Sequence, residues 1–325
     1  MKVAFVGKGG SGKTTLASLF ARRAADTGHR VLAIDADINQ HLPAALGLDP
    51  ERAAALPLLG ERLTVIKEYL RGDNPRIASA EAMLKTTPPG RGSRLLSLDG
   101  DRLLDECTRT VAGLRLAVTG GFNTDDLGVA CYHSKVGAVE LLLNHLVDGP
   151  GEYVVVDMVA GAEAFASGMF TRFDRTFLVC EPTVRSVGVY RQYARYAADH
   201  QVAISVIGNK IDEPDDVTFL RDEVGDALFG CFGRSRYVKA AERGIPAPVD
   251  RLEADNLAVL DTARALVDQT GKDWAKFTRQ AVEFHRRNAA AWGNDRAGAD
   301  LADQIDPDFR LGPECLTDRN RPVSV

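Results

Sequence analysis

The sequence of 325 residues lacks any apolar run that approaches the length needed to span a bilayer, and no charged and apolar leader precedes its first predicted strand. These absences exclude a transmembrane segment and lead us to expect a cytoplasmic protein. Cysteine is scarce: the five residues are odd in number and widely scattered, which favours thiols over a disulfide framework. No internal repeat is present.

An excess of basic charge is also missing. The 40 Lys and Arg residues face 45 Asp and Glu residues, which gives a net charge of −5 and a pI near 5.8. Proteins that hold DNA through its phosphates usually carry a basic patch, and none is obvious here, so a DNA-partitioning role is weakened. The hydrophobic content of 45% can support a sizeable core and argues against global disorder.

The N-terminal segment combines an apolar run with a glycine-rich loop. Residues 3–6 predict a strand, residues 7–14 fit G-x-x-x-x-G-K-[ST], and residues 16–23 predict a helix. Such glycines turn backbone N–H groups inward around an anion, and the positive end of the helix dipole faces the same point. We therefore expect Lys13 to reach the β- and γ-phosphates and Thr14 to ligate Mg²⁺. The predicted nucleotide contacts of this loop are Gly9, Gly10, Ser11, Gly12, Lys13, Thr14 and Thr15. The alternative is a chance glycine-rich turn.

Lys8 adds a feature that the plain phosphate-loop pattern does not require. The string K-G-G-x-G-K-T that begins at Lys8 resembles the deviant Walker A motif of the MinD/ParA, arsenite-ATPase and nitrogenase iron-protein superfamily. In that family the early lysine crosses a two-fold axis to the nucleotide of the partner subunit. The resemblance implies catalytic roles for Lys8 and Lys13 and a homodimer closed by ATP. A solvated loop lysine is the alternative.

A second apolar run, from residue 29 to 37, ends in Asp35 and Asp37. Its lack of alternation is typical of a parallel strand covered on both faces, and acids at the carboxyl end of such a strand point at the ligand crevice. By resemblance, Asp37 orients or deprotonates the attacking water, and Asp35 is a second-shell Mg²⁺ residue or a structural partner. A strand-end Asp that caps the next helix is the alternative for Asp37.

The β-branched run from residue 152 to 157 ends in Asp157 and predicts a Walker B strand, in which Asp157 holds Mg²⁺ through water. Gly161 follows it and resembles the glycine of switch II whose N–H senses the γ-phosphate. An ordinary core strand is the alternative.

Another buried-type strand, from residue 202, ends in Asn209 and Lys210. This pair resembles the base-recognition element of the family, in which the Asn side chain reads adenine. The full N-K-x-D string, which ends in Asp212, also resembles the guanine motif of GTPases, because Asp212 could accept from N1–H and the exocyclic amine of guanine. The deviant first loop favours ATP.

Cys131 and His133 lie in a predicted loop just before a helix, where the helix dipole stabilises a thiolate. The position resembles that of the C-x-C pair in the CooC-type nickel-insertion ATPases of carbon monoxide dehydrogenase, in which two subunits combine four thiolates around one metal. Here the pair is C-x-H, so two subunits would supply a Cys₂His₂ shell for zinc or nickel. The alternative is a buried cysteine beside a helix-capping histidine.

Two segments fall outside this pattern of motifs. Residues 48–113 contain helix-like patches at 61–70 and 79–84 and the double proline 88–89, and we interpret them as a variable helical insertion where a protein client would bind. Residues 271–325 predict a basic amphipathic helix and then a loosely ordered tail. We expect the helix to pack on its own domain or on a partner; a membrane surface is the alternative.

The order of the motifs predicts an α/β fold: a doubly wound, mostly parallel sheet flanked by helices, as in P-loop NTPases, over residues 1–270. The resemblance implies a slow, Mg²⁺-dependent ATPase whose homodimer switches with the nucleotide and drives metal insertion into, or maturation of, a metalloenzyme. The alternative is a positioning, partition or regulatory scaffold ATPase without a metal site.

Overall fold

The computed structural model describes residues 1–121, 132–159, 165 and 168–317. Within these ranges the strands form one eight-stranded sheet of order β3-β4-β2-β5-β1-β6-β7-β8, in which every neighbouring pair is parallel except the antiparallel β3–β4 pair. The strands are β1 Lys2–Gly7, β2 Arg30–Ala36, β3 Arg109–Val111, β4 Leu114–Val118, β5 Glu152–Met158, β6 Arg175–Cys180, β7 Ile204–Ile211 and β8 Leu228–Gly233. The predicted doubly wound, mostly parallel sheet is thus confirmed.

Helices cover both faces of the sheet. The helices, in chain order, are α1 Lys13–Asp26, α2 Leu42–Ala45, α3 Pro50–Ala54, α4 Leu63–Arg71, α5 Arg102–Cys107, α6 Tyr132–His145, α7 Val184–Ala198, α8 Pro214–Val224, α9 Arg236–Ala241, α10 Ala254–Asp268, α11 Trp274–Asn288, α12 Asn294–Ala297 and α13 Glu314–Thr317. One face carries α1 and α10, and the other carries α4, α6, α7 and α8. No helix in the described ranges is long and apolar enough to cross a bilayer.

The central strands are apolar throughout because both of their faces are covered. All residues of β1 are buried, and an aromatic cluster of Phe5, Phe20, Tyr153 and Phe177 joins α1 to the sheet. Parallel strands place their carboxyl ends at one edge. That edge therefore collects the residues that follow β2, β5, β1, β6 and β7, which are neighbours in this order.

The C-terminal extension is docked on the insertion. The Thr87 hydroxyl lies 3.0 Å from Gln304 Oε1, and the backbone N–H of Arg91 donates to Asp306 at 3.1 Å. His285 is buried between the Thr86 hydroxyl and the carbonyl of Leu301. Leu301, Ile305 and Leu311 are buried, so residues 301–311 are packed against the domain, where the sequence led us to expect a loosely ordered tail. Contacts between segments distant in sequence order them, and such contacts leave no local sequence signal.

Within the insertion, α4 agrees with the predicted helical patch 61–70, whereas residues 79–84 form turns. That second patch is too short to nucleate a helix against the nearby prolines. Ala80, Met83 and Leu84 are nevertheless buried, so tertiary packing fixes its conformation. The predicted amphipathic helix is α11, and it packs on its own domain through Phe277, Ala281 and their neighbours.

Candidate nucleotide-binding site

The loop between β1 and α1 has the conformation that its glycines permit. Gly10 and Gly12 have φ of +80° and +96°, in the left-handed region that favours glycine. A Cβ atom on Gly12 would also lie 2.1 Å from Asn209 Nδ2, so a side chain here would displace the Asn209 amide that donates to the carbonyl of Ser11. The helix α1 begins at Lys13 directly after this turn. Its free N–H groups therefore face the mouth of the loop.

Lys13 and Asp37 are bound to each other. Lys13 Nζ lies 2.6 Å from Asp37 Oδ2, and both side chains are buried. Burial alone would raise the pKa of Asp37, but the hydrogen bond to Lys13 and the N–H donors of Asn39 outweigh it and lower that pKa. Asp37 is thus an ionised carboxylate at the floor of the predicted phosphate site.

Asp35 fixes the loop that carries Asp37. Its two carboxylate oxygens accept the backbone N–H groups of Asp37, at 3.1 Å, and of Leu42, at 2.9 Å. The residue is fully buried and stands opposite Asp157 on the neighbouring strand. Burial and the charge of Asp157 raise its pKa. This geometry agrees with the structural-partner interpretation of Asp35.

Thr14 and Asp157 form the candidate Mg²⁺ site. The Thr14 hydroxyl donates to Asp157 Oδ2 at 2.6 Å, while Asp157 Oδ1 is buried and finds no hydrogen-bond partner among the described residues. Burial raises the pKa of Asp157 against the opposing charge of Lys13 and the hydrogen bond from Thr14. A hydroxyl and a carboxylate with an unused oxygen are the hard donors that Mg²⁺ prefers, so these residues fit the ion.

A carboxylate that the sequence analysis did not single out joins the site. Glu181 directly follows β6, and its side chain contacts Lys8 Nζ at 3.3 Å and Lys210 Nζ at 2.6 Å. Lys210 also donates to the carbonyl of Gly10 at 2.7 Å, and Asn209 donates to that of Ser11 at 2.6 Å. The available signal was an acid at the carboxyl end of a parallel strand, the same signal that pointed to Asp37 and Asp157.

The N-K-x-D string is split between two sets of contacts. Asn209 and Lys210 hold the phosphate loop, whereas Asp212 pairs with Arg234, which follows β8. Arg234 Nε donates to both oxygens of Asp212 and lies 2.6 Å from Oδ2. Whether Asn209 contacts the base stays a prediction. The charge of Asp212, however, is matched by an arginine in this structure.

The structure does not describe the side chains of three predicted site residues, Cys131, His133 and Gly161. Cys131 and Gly161 lie outside the described residues, and His133 falls in the first turn of α6, where only the backbone is described. Among the described side chains, no group of three or more His, Cys, Asp or Glu residues could hold a metal ion. The proposed Cys131 and His133 site therefore stays a prediction.

Comparison with known proteins shows the family of the chain. Residues 3–247 match the model of the CobQ/CobB/MinD/ParA nucleotide-binding domain. The carbon monoxide dehydrogenase accessory protein CooC of Rhodospirillum rubrum is 32% identical over 246 residues, which cover 75% of this chain and 87% of CooC.

Solved structures share the fold at low sequence identity. A ParA family ATPase from Chlorobium tepidum superposes with a TM-score of 0.57 at 14% identity, over 82% of this chain and 98% of the other. The septum site-determining protein MinD of Pyrococcus horikoshii, in complex with Mg-ADP, gives 0.55 at 16% identity, over 82% and 96%. With the family model matching most of its length and the phosphate loop in place, the chain belongs to the CobQ/CobB/MinD/ParA family of nucleotide-binding proteins.

Proposed function

We propose that this protein is an ATPase whose homodimer opens and closes with the nucleotide and that it drives metal insertion or maturation of a metalloenzyme. The observation that carries the ATPase part is the convergence, at the carboxyl edge of the sheet, of the Lys13–Asp37 pair and the Thr14–Asp157 pair. Lys13, which would bind phosphate, and Asp37, which would orient water, thereby lie beside the oxygen atoms that would ligate Mg²⁺. Phosphoryl transfer depends on such positioning and charge compensation.

In the proposed reaction the N–H groups of residues 9–15 and Lys13 bind the phosphate oxygens. Lys13 must then exchange its contact with Asp37 for the phosphates, which releases Asp37 to orient the attacking water. Thr14 and Asp157 would hold Mg²⁺, which neutralises phosphate charge when it is bound. Asp35 keeps the loop of Asp37 in place through two backbone N–H contacts. Hydrolysis that serves as a switch is expected to be slow.

The dimer part of the proposal rests on Lys8. Its side chain is one-third exposed at the mouth of the loop, so it is accessible to a second copy of the chain. By the family resemblance it would reach the nucleotide of the partner subunit and add positive charge to the phosphates. ATP would then close the dimer, and hydrolysis would open it.

The metal part of the proposal rests on sequence. CooC is an accessory protein of carbon monoxide dehydrogenase. It is 32% identical to this chain over an alignment that covers 75% of this chain. Two copies of Cys131-x-His133 across a two-fold axis would offer two thiolates and two imidazoles to zinc or nickel. The client would then be a protein that receives the metal, with the insertion as its docking segment.

The test is elemental mass spectrometry on protein purified without tag or chelator, with and without ATP. We expect about one half metal per chain, as for one four-ligand site shared by two subunits, and its loss in Cys131→Ala. Cys231→Ala is the control because that half-buried thiol lies on the edge strand β8. Absence of metal in both nucleotide states would contradict metal delivery.

A scaffold ATPase without a metal site is the second candidate. The observation that favours it is the single folded unit of insertion and extension, which presents the partly exposed side chains of Val65 and Trp292. Absence of metal together with unchanged ATPase activity of Cys131→Ala would support this candidate. Sedimentation with liposomes or DNA only in the presence of ATP would make it a positioning or partition protein.

A further inference from the structure

Two lysines at the mouth of the phosphate loop share one carboxylate. Glu181 Oε2 faces Lys8 Nζ, and Glu181 Oε1 faces Lys210 Nζ. The Glu181 side chain is only 14% exposed, whereas Lys8 and Lys210 are 35% and 47% exposed. The acid is therefore the fixed member of the cluster, and the lysines are the members that can leave it.

The backbone at Lys210 is held in an uncommon conformation that aims its side chain at this cluster. Its φ is +60°, and the pairing of β7 with β8 is irregular between Asn209 and Ile211. A non-glycine residue persists in the left-handed region only where its surroundings hold it there. Here the contacts with Gly10 and Glu181 supply that hold.

Glu181 is ionised, and its single negative charge faces the two positive charges of Lys8 and Lys210. Burial alone would raise its pKa, but hydrogen bonds and charges of Lys210 and then Lys8 outweigh burial and lower that pKa. One negative charge thus serves two ammonium groups. Removal of Lys210 would leave the whole charge of Glu181 to Lys8, and neutralisation of Glu181 would release Lys8.

Among the described residues of its own subunit, Glu181 is the only charged partner of Lys8. Besides Glu181 Oε2 at 3.3 Å, the described contact of its ammonium group is the carbonyl of Gly9, also at 3.3 Å, and that carbonyl carries no net charge. Any role of Lys8 at a partner subunit requires that it first leave Glu181.

We propose that Glu181 is a positioning residue that retains Lys8 on the loop of its own subunit until ATP closes the dimer, and that Lys210 weakens this retention. The inference rests on the proposed dimer switch. When the dimer forms, each subunit loses its contact between Glu181 and Lys8. Because this loss opposes dimer formation, Glu181 raises the concentration of ATP that is needed to close the dimer.

The test measures the association constant of the dimer, here called the dimerisation constant, at increasing concentrations of ATPγS. It uses sedimentation velocity on the full chain. Glu181→Gln keeps the shape and an acceptor oxygen for Lys210 but removes the charge. An ion pair of this exposure changes an equilibrium about two- to five-fold, so with two subunits the dimerisation constant should rise about four- to twenty-five-fold. Lys210→Met should lower it, because Glu181 then holds Lys8 alone.

The double variant Glu181→Gln/Lys210→Met separates this effect from damage to the phosphate loop. If Lys210 acts through Glu181, the double variant should dimerise like Glu181→Gln. If it retains the loss seen in Lys210→Met, Lys210 acts through Gly10 and its part of the inference is overturned. ADP binding, measured by calorimetry on each variant, reports on the loop itself and separates a change in dimerisation from a change in nucleotide affinity.

If the wild-type protein dimerises with ATPγS, an unchanged or lower dimerisation constant for Glu181→Gln would overturn the role of Glu181. The proposed dimer switch would then still stand. A wild-type protein that binds ATPγS and stays monomeric would instead overturn the proposed dimer switch, and the inference with it. A wild-type protein that binds no nucleotide would refute the ATPase proposal.

Discussion

Lys13 Nζ lies 2.6 Å from Asp37 Oδ2, so the side chain predicted to bind phosphate and the one predicted to orient water are bound to each other. Both are buried, and each is the principal charged partner of the other. In the proposed reaction, a triphosphate must take Lys13 away from Asp37 before Asp37 can act on water. That reaction would link nucleotide binding to activation of water through a single exchange of partners.

Asp37→Asn tests this exchange. The amide cannot take a proton from water, so kcat for ATP hydrolysis should fall about 100-fold or more. Nucleotide affinity should stay equal or rise, because Lys13 no longer has to leave a carboxylate. Steady-state kinetics and calorimetry with ATPγS measure the two effects. Asp49→Asn is the control, since that exposed acid only caps α3, and a kcat for Asp37→Asn close to that of the wild type would contradict the assigned role.

The Thr14 hydroxyl gives the second prediction. Thr14→Val keeps the branched shape but removes the donor to Asp157 and the predicted ligand for Mg²⁺, whereas Thr14→Ser keeps the hydroxyl. The Mg²⁺ concentration for half-maximal activity should rise about 10- to 100-fold in the valine variant. It should stay near the wild-type value in the serine variant. Equal Mg²⁺ requirements in both variants would show that the hydroxyl has no part in ion binding.

The residues that sequence alone located are those whose chemistry is local. The glycines of the phosphate loop, Lys13 and Thr14 are adjacent in sequence, and Asp37 and Asp157 end apolar strands, so a spacing rule and a strand rule found them. The same edge of the sheet holds them together in the structure.

What sequence missed depends on pairing between distant segments. Glu181 is more than 170 positions from Lys8, and nothing near Arg234 indicates that its partner is Asp212. The docking of Asp306 on Arg91 likewise joins the extension to the insertion across 215 positions. Hydrophobic periodicity carries no information on such polar pairs, whereas it located the sheet, α1 and α11.

The Asp212–Arg234 pair predicts the base preference. Guanine would need both oxygens of Asp212 for its two N–H donors, and Arg234 Nε already donates to both. Arg234→Met should free Asp212 and shift the ratio of GTPγS to ATPγS affinity about two- to five-fold toward guanine, because an exposed ion pair changes an equilibrium by about this much. Calorimetry with both nucleotides measures the ratio. Arg191→Met, which removes an exposed pair with Glu223, is the control; an unshifted ratio for Arg234→Met would remove Arg234 from base selection.

A buried histidine far from the phosphate loop predicts how stability depends on pH. Burial lowers the pKa of His145 to about 4 from its ordinary value of 6.5, and its Nδ1 lies 2.9 Å from the Leu141 carbonyl. Its Nε2 has no hydrogen-bond partner among the described residues, so the folded state keeps the ring neutral. Between these two pKa values the unfolded chain binds a proton that the folded chain does not. The free energy of unfolding must therefore fall as pH decreases through this window.

The loss attributable to His145 should reach about 3 kcal/mol once pH approaches 4, because the shifted group is fully buried. His145→Asn keeps a donor for Leu141 but has no proton to gain. Urea unfolding followed by circular dichroism, at about pH 7 and about pH 4.5, should show a smaller decrease for this variant than for the wild type. Other acids titrate in both proteins and cancel in the difference. His41→Asn, at an exposed position, should behave like the wild type, and equal decreases for His145→Asn and the wild type would mean that His145 accepts a proton without unfolding.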